Sequence, residues 1–129
     1  MTKKEKFFKY SELSKMLPLI KAIQKDLHTT WKTILQLREK YRAGDEKSQE
    51  LVEESNYYID QLNRYIKEIE DLGGYVEQLM NAVVVFPTLV HGRKAFFVID
   101  INDKEIAYWH HWDEAYSDKQ PLQSGAYLD

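Results

Sequence analysis

From Ile20 the apolar residues recur as Ile20, Ile23, Leu27, Trp31, Ile34, Leu37 and Tyr41, steps of three and four that fall on one side of an α-helix. A second stripe follows Ala43-Gly44: Leu51 or Val52, Tyr58 or Ile59, Leu62, Tyr65 or Ile66, Ile69 and Leu72, stopped by Gly73-Gly74, a pair suited to the left-handed turn that ends helices. Two long helices joined by so few residues must fold back on one another as an antiparallel hairpin. Both stripes run close to a heptad repeat, which favours shallow, coiled-coil-like packing. Whatever follows the hairpin has to cover the apolar surface it leaves open.

The first helix is expected over about 11–43 and the second over about 45–72. Ser11 with Glu12 resembles a helix start, but Pro18 lies seven residues on, where it removes a backbone donor and crowds the preceding turn. The sequence therefore predicts a short helical turn and then a kink or break near Leu17-Pro18.

Past the glycine pair the apolar period shortens. Ala82-Val83-Val84-Val85-Phe86 is β-branched and bounded by Pro87, and the stretches Lys94 to Ile101 and Lys104 to His111 flank Asn102-Asp103, a dipeptide suited to closing a hairpin. These predict a three-stranded antiparallel sheet over about 82–111, with 112–129 as a tail. A tight turn at Asn102-Asp103 places Ile99 opposite Ile106, Phe97 opposite Tyr108 and Ala95 opposite His110, so that Tyr108 and His110 face the helices while Trp109 and His111 face away. The second face, with Phe96, Val98 and Trp109, then needs cover from the tail through Tyr116, Pro121 and Leu122, or from another subunit. The expectation is one α+β domain over 1–129, a long two-helix hairpin on a small sheet.

Composition narrows the function classes. No cysteine occurs among the 129 residues, which excludes disulfides, thiolate metal sites and a cysteine nucleophile and suits a reducing cytoplasm. The longest apolar run, Ala82 to Pro87, is far short of the roughly 20 residues that cross a bilayer, and the lysines Lys3, Lys4, Lys6 and Lys9 read as a solvated tail with no signal-peptide core behind them. Lys and Arg number 14 against 13 Asp and Glu over residues 1–72, and 4 against 8 over 73–129. Neither half has the basic excess that nucleic-acid backbones require. The expected partners are a second copy of the chain, giving a homodimer, or another protein, and neither nucleic acid nor membrane.

Chemistry is best sought in Tyr108-Trp109-His110-His111-Trp112-Asp113-Glu114, which holds two of three tryptophans and two of four histidines. Imidazole with carboxylates can hold a divalent metal ion, and His91, His110 and Asp113 form the candidate set. Arg93, His110, Asp113 and Lys119 form the other candidate cluster. In one reading Arg93 pairs with Asp113 and ties the tail to the sheet; in the other Arg93, His110 and Lys119 hold a small anion. Asp113 and Glu114 are adjacent, so they point apart on a strand and cannot flank one substrate bond. No nucleophile elbow, phosphate loop or dinucleotide fingerprint occurs. Tyr58 and Tyr65 are expected in the core, and Tyr57, off the stripe, at the surface.

Phe8, Glu12, Leu17-Pro18, Phe86-Pro87, Gly92-Arg93, Tyr108-Trp109-His110, Asp113 and Pro121-Leu122 together resemble an uncharacterised bacterial and archaeal family, domain of unknown function 2203. The resemblance is tightest from Phe86 to Leu122, and Lys119 stands where that family usually carries Arg. It implies recurrent positions and no activity or cofactor. Residues and resemblance together point to a non-enzymatic, self-associating interaction or scaffold module. The alternative is a metal- or small-molecule-binding protein with its site at His110, Asp113 and Arg93.

Overall fold

The computed structural model describes residues 5–43 and 49–122. The expected interhelical connection, the first residues expected of the second helix, Lys3, Lys4 and the end of the tail lie outside them. Helix α1 spans Tyr10–Arg42 and helix α2 Gln49–Leu72. They are antiparallel: Gly73, just past α2, lies against the ring of Phe8, just before α1, while Tyr41 and Ile34 share a groove with Val52 and Ile59.

Helix α1 runs unbroken through Pro18, contrary to the expected break. The proline is on the solvent side, whereas Leu13 and Ile20 around it are fully buried. Burying two such side chains contributes about 3–6 kcal/mol, enough to offset the roughly 3 kcal/mol that an interior proline costs. The start of α1 is held by the Lys9 backbone N–H, which donates to Glu12 Oε1 at 3.0 Å.

The sheet has five antiparallel strands in the order β1-β2-β3-β4-β5, not three: β1 Tyr75–Gln78, β2 Val83–Val90, β3 Arg93–Ile99, β4 Tyr108–His111 and β5 Gln120–Pro121. The two additions are short and carry little apolar alternation; each forms because a longer neighbour offers an open edge. Strand β2 also continues past Pro87, where the ladder pairs Pro87 with Phe96. The Pro87 carbonyl accepts from the Phe8 N–H at 2.7 Å, so this residue's backbone polar groups point away from β3, and the missing N–H removes nothing from the ladder.

The two-residue turn is at His91-Gly92, both with positive φ (52° and 77°), as a hairpin turn that follows the strand twist requires. Asn102-Asp103 lies instead in a wider connection. Asp100 N–H donates to Asp103 Oδ2 at 2.9 Å, Asn102 N–H to Asp100 Oδ1 at 2.9 Å, and Asp103 N–H to the Asp100 carbonyl at 3.0 Å. These short carboxylates hold local N–H groups that a tight hairpin would have placed in the ladder. The register is displaced by one residue: Phe97 pairs with Trp109 and Phe96 with His110. A one-residue slip inverts every side chain of a strand. Trp109 therefore packs on the helix side and His110 lies on the far face, the reverse of the expected arrangement.

Each face of the sheet has its own apolar cluster. On the helix side Leu13, Ile20, Ile23 and Leu27 meet Val84, Phe86, Phe97 and Ile99. On the far side Val83, Val85 and Val98 are buried with Phe96, Tyr108 and Tyr116 around them, so the tail covers the second face through Tyr116 alone of the three expected residues; Leu122 packs on the helix side and Pro121 is exposed. Gly74 is more than a helix stop, since a Cβ there would lie 2.6 Å from two ring carbons of Phe86.

Candidate functional site

His110 is the most enclosed of the candidate residues, at 1% exposure. Strand β4 aims it at the far face beside Phe96, whose ring lies 5.8 Å from the imidazole, centroid to centroid. Both ring nitrogens are engaged: Nδ1 lies 2.7 Å from the His111 carbonyl oxygen and Nε2 2.7 Å from Glu77 Oε1. A carbonyl only accepts, so Nδ1 carries a proton, and one further proton lies between Nε2 and Glu77. Glu77 belongs to β1 and His110 to β4, with two strands between. Flat sheet spacing would set them about 14 Å apart, so the sheet curls around the far-side cluster and the His110–Glu77 contact closes the curl.

The second polar group caps the same face. Tyr116 Oη donates to Asp100 Oδ2 at 2.6 Å, and Lys119 Nζ donates to Tyr116 Oη at 2.8 Å while lying 4.5 Å from the centre of the Tyr108 ring. The bond to the Asp100 carboxylate holds the Tyr116 hydroxyl above its ordinary pKa. For Lys119, burial acts downward, but the Tyr116 oxygen and the charges of Asp103 and Asp100 outweigh it and hold the ammonium above its ordinary pKa. On the helix side, Lys21 Nζ donates to the carbonyls of Ile101 and Asp100 at 2.7 and 3.1 Å, and burial lowers its pKa. Buried Gln24 donates to the Ala82 and Ile99 carbonyls at 2.8 and 2.9 Å. The connection after β3 is thus gripped from both sides.

The remaining candidates are not brought together. Arg93 and Asp113 are both exposed and form no ion pair with each other; the sheet places Arg93 at the start of β3, after the His91-Gly92 turn, and Asp113 beyond the end of β4. Lys119 is committed to Tyr116 rather than to His110. Among the described residues no group of three or more His, Asp or Glu side chains is placed to hold a metal ion, so His91, His110 and Asp113 do not converge. Glu77, Asp100, Tyr116 and Gln24 carry the polar architecture and were not legible as a set. Glu77 sits in a stretch with no periodic signal, and only the Asp100-x-x-Asp103 spacing hinted at a side-chain-bonded turn.

A groove of about 450 Å³ runs between α2 and β1, lined by Ile66, Glu70, Tyr75, Glu77 and Gln78 among others. A different opening lies at the far end of the hairpin, about 220 Å³, between Ile34, Arg38 and Tyr41 of α1 and Val52, Ser55 and Ile59 of α2. Tyr41, Val52 and Ile59 are 44%, 38% and 39% exposed there. No helix among the described residues is long and apolar enough to cross a membrane.

Most of the positions that carried the resemblance fall on structural contacts. Phe8 and Phe86 pack edge to face at 5.4 Å between ring centres, Gly92 makes the turn, Trp109 and His110 are buried, and the Leu122 N–H donates to the Ala107 carbonyl at 2.8 Å. Nothing in the structure explains Arg93 and Asp113. Compared with known proteins, the chain matches over residues 6–122 the model of one family, described as Uncharacterized conserved protein, domain of unknown function 2203. No curated protein and no solved structure matches it.

Proposed function

The chain belongs to that uncharacterised family, and from its own geometry we propose that it is a non-enzymatic cytoplasmic interaction module whose contact surface is the distal part of the helical hairpin. The observation that carries this reading is the groove between Tyr41, Ile34, Val52 and Ile59. At 33 residues α1 is about 50 Å long, whereas the longest strand, with 8 residues, spans about 26 Å. The hairpin outreaches the sheet, and apolar side chains line the part that does so. Large apolar groups in a shared groove with a charged rim are the composition of a contact surface.

The alternative site on His110, Asp113 and Arg93 gains no support from the arrangement, because His110 has no ring nitrogen left for a ligand and the other two lie apart from it. A photo-cross-linking amino acid at position 41 tests the reading in cells. An adduct is expected there that disappears in Ile59→Glu. Adducts from position 112, where Trp112 is 60% exposed at the other end of the molecule, with none from position 41, would sink it.

A further inference from the structure

Charge is divided unevenly between the two helix segments that flank the distal groove. Over residues 32–42, α1 carries Lys32, Arg38, Lys40 and Arg42 against Glu39; over residues 49–60, α2 carries Glu50, Glu53, Glu54 and Asp60 and no base. Among the described residues these opposite charges do not pair across the hairpin within one chain. The ion pair formed there is Arg42 with Glu39, both on α1, at 3.9 Å and largely exposed. The charges beside the groove are thus mainly basic on α1 and acidic on α2, with Arg38 the charged residue of its lining.

We propose that the occupant of this groove is a second copy of the chain, docked by a two-fold axis parallel to the hairpin so that α1 of each copy lies antiparallel on α2 of the other. This inference rests on the reading of the distal hairpin as the contact surface. The charge pattern selects the arrangement. A two-fold axis in the contact plane and parallel to the helices sets basic α1 against acidic α2; an axis perpendicular to the helices sets α1 against α1 and α2 against α2, and like charges face each other.

Helix geometry adds residue detail. Turning about 100° per residue from the groove positions places Glu53 and Asp60 on the outer rim of α2 and Arg42 on the outer rim of α1, beside Arg38. Because the helices are antiparallel and Ile34, Tyr41, Val52 and Ile59 line one groove, Tyr41 is matched with Val52 at the end nearer the connection and Ile34 with Ile59 at the other. An axis parallel to the hairpin preserves these heights, so Glu53 of one copy falls between Arg38 and Arg42 of the other. The apolar centre of the contact is then Tyr41, Val52 and Ile59 from both copies, above the buried Ile34 and ringed by those charges, in the manner of a four-helix bundle.

Charge reversal on the purified full chain, read by light scattering and sedimentation, tests this. The wild type is expected to dimerise at micromolar concentration, and Glu53→Arg or Arg38→Glu each to raise the dimer dissociation constant about tenfold, since each change acts twice across a two-fold contact. The double variant Glu53→Arg with Arg38→Glu is expected to recover the wild-type constant. A double variant weaker than either single one would overturn the α1-on-α2 arrangement. The mass of the adduct at position 41 separates the two levels. Twice the chain mass is the expected result; an Ile59-dependent adduct of any other mass overturns the second copy but leaves the contact surface standing; no adduct overturns both.

Discussion

The two ends of the helical hairpin share one apolar periodicity and differ in what finishes it. At the proximal end Leu13, Ile20, Ile23 and Leu27 are sealed by the sheet, and several polar groups at the margin are bonded: Gln24 Nε2 to two carbonyls, Lys21 to two more, His110 to Glu77 across the curled sheet. At the distal end Ile34, Leu37 and Leu51 are buried, but Tyr41, Val52 and Ile59 remain partly exposed beside charges that, among the described residues, do not pair across the hairpin. The difference teaches that a helical stripe specifies which side is apolar and not how much of it one chain can cover. The first end is a stability device, and the second is the contact surface we propose.

This contrast predicts that substitutions at the proximal end change unfolding free energy and leave association alone, with the reverse at the distal end. The largest effect is expected at Gly74→Ala, whose Cβ would lie 2.6 Å from a fully buried ring. Overpacking of this kind costs about 3 kcal/mol, measurable by urea denaturation, and a wild-type midpoint would mean that the Phe8–Phe86 packing is looser than described. Glu77→Ala comes next. It leaves a buried imidazole nitrogen without its hydrogen-bond partner, an expected loss of about 2 kcal/mol, and a double-mutant cycle with His110→Phe should show coupling above about 1 kcal/mol; additive effects would disprove the His110–Glu77 contact.

A smaller effect, about 1 kcal/mol, is expected for Tyr116→Phe, which removes the bond to Asp100. Its pH dependence has a definite sign. Because the folded pKa of Tyr116 is raised, the contribution of its hydroxyl is fully present below the unfolded tyrosine value of about 10 and is lost as pH rises through the folded value. The stability gap between wild type and Tyr116→Phe should hold between pH 7 and 9 and close above 10; a gap that persisted in more alkaline solution would refute the assignment. The smallest stability change, within about 0.5 kcal/mol, is expected for Ile59→Glu, measured below the concentration at which the chain associates. A large loss there would show that the distal groove is core rather than contact surface.

Local signals carried much of the fold. The 3-4 spacing placed both helices, Tyr58 and Tyr65 pack against the core and Tyr57 is exposed, and the β-branched run became β2. What failed was long-range or chemically subtle. Strands β1 and β5 are edge additions of few residues, stabilised by a neighbour's open hydrogen bonds rather than by their own side chains. Pro87 sits inside a strand only because β1 ends before it and Phe8 takes its place at that edge. For the candidate residues, His110 was singled out for its chemistry, yet its partner Glu77 is 33 residues away in sequence, and no periodicity points from one to the other.

The amino-acid order alone determined the helical hairpin, the switch to strands after Gly73-Gly74 and the absence of any thiol chemistry, because each depends on neighbours within a turn or two or on composition. Only the tertiary structure decided which way Tyr108-Trp109-His110-His111 faces. A strand repeats every second residue, so the capture of backbone N–H groups by Asp100 and Asp103 moves the register by one and exchanges the two faces. That single step put Trp109 on the helix-side face, beside Val90 and Ala95, and His110 against Glu77.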